Sequence, residues 1–116
     1  MIETFAQEVS KSLTDKYGVT IPWEMIIEMI LSLLQNSPQP TPTRFVESVR
    51  NPTIIQRVVM NLRIREITGI KGFNKVVAIR DCVLAEAAAK TDEQLLASFY
   101  QAQGLFGAES VVVEGE

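Results

Sequence analysis

Pro22-Trp23-Glu24-Met25-Ile26-Ile27-Glu28-Met29-Ile30-Leu31-Ser32-Leu33-Leu34 is the stretch on which the fold turns. Its polar residues Glu24, Glu28 and Ser32 recur every fourth position, and apolar residues fill the rest. Side chains four apart stack on one face of an α-helix, and the apolar Ile26 and Ile30 between them break the alternation of a half-buried strand. Proline stands at the opening, where a helix needs no N–H from it. The spacing predicts a helix over 22–35, apolar around most of its circumference and therefore enclosed. Such a helix lies either at the centre of a bundle or between subunits. The centre is the first expectation, with Glu24, Glu28 and Ser32 as its solvated stripe.

Outward from this helix, proline and glycine cut the chain into further helical segments. On the N-terminal side Ile2, Phe5, Val9 and Leu13 form one stripe of a helix over 2–17, stopped by Gly18. On the C-terminal side, residues 37–43 alternate proline with polar residues and read as a stiff spacer. Thr41 or Thr43 then caps a short helix over 42–50. Asn51-Pro52 looks like a cap and first-turn proline for a helix reaching Thr68. That helix has two apolar sides: Ile54, Ile55, Val58, Val59 and Leu62 on one, and Met60, Ile64 and Ile67 on the other. Gly69-Ile70-Lys71-Gly72 makes a turn into a helix over 73–90. Thr91-Asp92-Glu93-Gln94 fits a capping box for a last helix ending near Gln103. The expected fold is all-α: a compact orthogonal or bundle-like array of five to six helices forming one domain over 1–103. Residues 104–116 are expected to be a flexible acidic tail, with a brief strand at Val111-Val112-Val113 as the alternative.

Composition removes several functions. The 116 residues include one cysteine and no histidine, so an internal disulfide, a Cys/His zinc site and histidine-based catalysis are all excluded. Glu24 and Glu28 share a helix face but lack the histidines that a di-iron bundle site requires. Cys82, beside Asp81, reads as a structural thiol. No phosphate-binding glycine loop is present. No cofactor, no metal and no catalytic residue are expected, and the protein is read as not an enzyme. The opening residues carry no cationic leader, and the longest apolar run is too short to span a bilayer. A cytoplasmic protein without a membrane partner is the expectation.

Charge is unevenly placed. Residues 44–80 hold eight basic and two acidic side chains, a balance of +6, whereas the remainder holds three basic and twelve acidic, or −9, within a net charge of −3. A basic middle in an acidic chain suits phosphates or acidic protein surfaces. Ile64-Arg65-Glu66-Ile67-Thr68-Gly69-Ile70 resembles the first half of the helix-hairpin-helix pattern. The motif's second glycine would follow Ile70 directly; Lys71 stands there, Gly72 comes one residue late, and Ala78 is out of place for the expected alanine. No role is carried over from it.

Two functions follow as expectations. The first is a non-enzymatic binding, assembly or adaptor protein that self-associates or meets a protein partner. Its contact would draw on the two over-apolar helices through Trp23, Met25, Ile26, Met29, Ile30, Leu33, Met60 and Ile64. The second is a small nucleic-acid-binding accessory protein using the helix–turn–helix at 44–80. Its contacts would be Arg57, Arg63, Arg65, Lys71, Asn74, Lys75 and Arg80.

Overall fold

The computed structural model describes residues 5–35 and 41–106. Six helices follow one another: α1 (Phe5–Tyr17), α2 (Trp23–Leu31), α3 (Pro42–Arg50), α4 (Ile54–Thr68), α5 (Phe73–Ala88) and α6 (Asp92–Phe106). The chain is all-α as its periodicity requires, and no strand occurs among the described residues. The spacer residues 36–40 and the tail from 107, with Val111-Val112-Val113, lie outside the described residues.

Local chemistry sets the ends of these helices. Gly18 adopts φ 64° and Gly69 φ 73°, left-handed conformations that end α1 and α4 without a Cβ penalty. Thr41 caps α3, its hydroxyl accepting from the Arg44 amide at 3.2 Å. Asn51 is not the cap of α4; it terminates α3, and Thr53 opens α4. Thr53 and Gln56 form a reciprocal capping box, with the Gln56 amide donating to Thr53 Oγ1 at 3.0 Å. In return the Thr53 amide donates to Gln56 Oε1 at 2.8 Å. Thr91 and Gln94 repeat this arrangement ahead of α6.

Two boundaries depart from the sequence reading. The 22–35 helix is α-helical only to Leu31, and Ser32–Leu34 tightens into a 3-10 turn. There the Ser32 hydroxyl donates to the Met29 carbonyl, a three-residue reach that suits the tighter winding. At the other end α6 runs through Gly104 to Phe106 instead of stopping near Gln103. A glycine inside a helix costs about 1 kcal/mol but stops it only by turning left-handed, and Gly104 does not.

Every helix contributes to one apolar cluster. α2 lies against α1, α4, α5 and α6 and buries Ile26, Ile27, Met29 and Ile30. Opposite them stand Val9 and Leu13 of α1, Met60 and Ile64 of α4, and Val76, Ile79 and Val83 of α5. α3 and α6 close the other side, where the Phe45 and Phe99 rings tilt together at 5.3 Å. The stripe of α2 is less solvated than expected. Ser32 is buried, and Glu28 is taken up by an ion pair with Arg63 of α4.

Polar ties hold the periphery. Gln56 reaches beyond its own cap, donating to the Leu33 carbonyl at 3.0 Å and to Ser48 Oγ at 2.9 Å. One side chain thus fixes the start of α4 to the 3-10 turn and to α3. Arg50 gathers the end of α5, donating to the Ala88 and Lys90 carbonyls and pairing with Asp92 at 2.7 Å. The Ala88 carbonyl is one that the end of α5 leaves without an internal donor, and Lys90 lies just beyond the helix.

The orientation of α4 gives a direct test. Met60→Ala and Ile64→Ala should each cost about 2–5 kcal/mol, because they leave cavities in the core. Ile54→Ala and Leu62→Ala, on the opposite side, should stay within roughly 0.5 kcal/mol. Urea denaturation of the four variants reads the difference, and equal losses at both pairs would refute this orientation.

Candidate functional site

The expected contact residues divide sharply. Ile26, Met29, Ile30, Leu33, Met60 and Ile64 have no more than 2% of their surface exposed. They belong to this chain's own core, which corrects their assignment to an interface. The reason is packing: they are the sides of α2 and α4 that face each other, so each satisfies the other. Trp23 is half-buried against the core, and Met25 keeps 37% of its surface at the rim.

The apolar surface that remains unsatisfied is on the far side of α4. Ile54 is 80% exposed, Ile55 69%, Val58 50% and Leu62 55%. Ile54, Val58 and Leu62 step by four along the helix with Ile55 beside them, so they form one ridge. Met60 and Ile64 also step by four, on the opposite side of the same helix. Phe73, the first residue of α5, adds a ring that is 72% exposed just past the turn. Single exposed aliphatic residues are ordinary on protein surfaces; four consecutive members of one helix face are not.

The basic residues divide as well. Arg63 is held by Glu28 and, at 3.0 Å, by Glu66. Arg80 has 14% of its side chain exposed and is tied to Asp81 at 2.8 Å and to Asn61 at 3.3 Å. Both serve internal pairing, which withdraws them from the expected nucleic-acid contacts. Arg57, Arg65, Lys71 and Lys75 are exposed, and none of them has an ion pair among the described residues. Asn74 is exposed in the first turn of α5. A shallow open cleft of about 490 Å³ brings Leu62, Arg65, Ile70 and Lys71 together at the C-terminal end of the ridge. A second, of about 530 Å³, meets the ridge at Ile55 between α3 and α4.

Nothing comparable gathers chemistry. Glu28 lines an open cleft with Met25, Arg63 and Glu66, and Glu24 is not part of its wall. Among the described residues no group of three or more acidic or cysteine side chains could hold a metal ion. No described helix is long and apolar enough to cross a membrane. Cys82 is half-buried, with its Sγ 3.3 Å from Glu86 Oε2. Burial first, and then the hydrogen bond and charge of Glu86, push this thiol up to about 11. A protonated thiol is a poor nucleophile, so Cys82 has a packing role. No family model, curated protein or solved structure matches the chain.

The Cys82 environment predicts an alkaline effect with a definite sign. Above pH 9 the unfolded chain releases the thiol proton while the folded chain retains it up to about 11. Folding stability therefore falls as pH rises through that window. Denaturation midpoints from pH 8 to 11 should decline more steeply in the natural protein than in Cys82→Ser, and parallel slopes would refute the assignment.

Proposed function

We propose that this chain is a non-enzymatic binding and assembly protein that docks through the outer face of α4. The supporting observation is the ridge Ile54, Ile55, Val58 and Leu62, at least half exposed on a helix whose other side is in the core. Leaving such a ridge in water forgoes roughly 1.5–3 kcal/mol for each large aliphatic side chain that could be buried. A contact that covers it recovers that free energy. The ridge also lies on a well-anchored element, since the capping box and the Gln56 ties fix the start of α4. A rigid face presents its anchors with little entropy left to lose on binding.

A photoreactive residue at position 58 tests this reading, with the same residue at position 97 as control. Ala97 is exposed on α6, away from the ridge. In native extract and in the purified protein, position 58 should give adducts of discrete mass, heteromeric or homodimeric, that position 97 lacks. Equal labelling at both positions, or none at either, would contradict the proposal.

A second reading, nucleic-acid binding, draws on the exposed Arg57, Arg65, Lys71 and Lys75, which have no ion pair among the described residues, together with Asn74. It requires affinity that falls steeply with salt, because phosphate contacts release counterions. Fluorescence anisotropy with labelled DNA and RNA from roughly 50 to 200 mM salt should then show strong weakening that Arg65→Ala and Lys71→Ala remove. Absence of binding at the lowest salt would eliminate this reading.

A further inference from the structure

We infer that the occupant of the α4 ridge is an amphipathic helix of a partner protein whose apolar stripe is flanked by acidic side chains. This rests on the binding function proposed above and specifies the chemistry of its ligand.

Shape argues for a helix. The ridge has a four-residue step, and i±4 ridges are the surfaces that interdigitate when two helices pack. α4 has 15 residues and so runs about 22 Å, which a partner helix of similar length would span. The open clefts at Ile55 and at Leu62 lie near opposite ends of this ridge and leave room for side chains reaching past it. A globular partner docked face to face contributes about 800 Å² on each side, more than one helix face with four aliphatic residues supplies. A helix laid along a helix fits this smaller surface.

Charge selects the partner. Arg65 lies on the exposed side of α4 and shares the cleft of Leu62 with Lys71 of the following turn. The carboxylate of this cleft, Glu66, is paired with Arg63, and the exposed Glu47 stands at the far end, in the cleft of Ile55. The Leu62 end of the ridge therefore carries two exposed cations, neither with an ion pair among the described residues. A two-fold contact that paired the Leu62 ends of two copies would bring Arg65 and Lys71 of each together. Carboxylates beside an apolar stripe would meet the same cations favourably and fix the register. A phosphate backbone would satisfy the cations but leave Ile54, Ile55 and Val58 uncovered, which disfavours nucleic acid as the principal ligand.

The test uses two synthetic amphipathic helices with the same leucine stripe, one flanked by glutamates and the other by lysines. Titrated against the full chain, the glutamate peptide should bind about tenfold more tightly or better, with a preference that shrinks as salt rises. Leu62→Glu should abolish binding of the glutamate peptide, and the double variant Arg65→Glu, Lys71→Glu should reverse the preference. All three positions are exposed, and circular dichroism is to check that the helices persist in each variant. Equal affinity for the two peptides, or binding of neither, overturns the inference. So does a preference for phosphatidylserine vesicles or duplex DNA over the glutamate peptide that Leu62→Glu also removes. Discrete adducts at position 58 without any charge preference would reject this inference alone. Absence of those adducts would reject the binding function beneath it.

Discussion

The helix α4 is apolar on two opposite sides, and a bundle of this size buries only one of them. Met60 and Ile64 meet α2 and α5 in the core, and this contact sets the rotation of α4. Everything notable about the outer surface follows from that rotation. It exposes the ridge from Ile54 to Leu62 and places Arg65 on the same side. It also turns Arg63 towards Glu28, so that one arginine is consumed internally while its neighbour two residues on has no ion pair among the described residues. The rotation is held at the N-terminal end by Gln56, which joins α4 to α3 and to the 3-10 turn through separate hydrogen bonds. At the C-terminal end Gly69 releases the chain into the turn, with its amide bonded to the Arg65 carbonyl at 2.8 Å.

Charge asymmetry along the sequence resolves into two uses. Part of it is internal: Arg50 satisfies the carbonyl end of α5, Arg63 bridges α4 to α2, and Arg80 crosses to Asn61. The other part is exposed: Arg65 and Lys71 at the Leu62 end of the apolar ridge, Arg57 in the cleft towards α3 and α5, and Lys75 in the first turn of α5. Exposed cations cost little to keep in water and contribute little to stability. Their value lies in steering and register once an acidic surface approaches.

Much of the fold was legible because its signals are local. The four-residue step of Glu24, Glu28 and Ser32, the left-handed glycines 18 and 69, and the Thr91–Gln94 box each depend on a few neighbouring residues. The contact face was not legible in the same way. Periodicity separates the Ile54 side of α4 from the Met60 side but does not say which side meets the core, since both are aliphatic. Charge does not decide it either: Arg65 falls on the Ile54–Val58 side, while Arg57 and Arg63 flank Met60 and Ile64. Ion pairing is likewise a tertiary matter. Arg63 and Arg65 look equivalent along the chain, and only the position of Glu28 on α2 distinguishes them.

Methyl-labelled NMR with a soluble paramagnetic probe tests the central claim most directly, because it reads the two sides of α4 in one dilute sample. The account predicts strong broadening of the Ile54, Ile55, Val58 and Leu62 methyls, with the Met60 and Ile64 methyls protected to the level of Ile79. Protection of the ridge methyls, or broadening at Met60 and Ile64, would mean that α4 is turned the other way and that its outer face is not a docking surface.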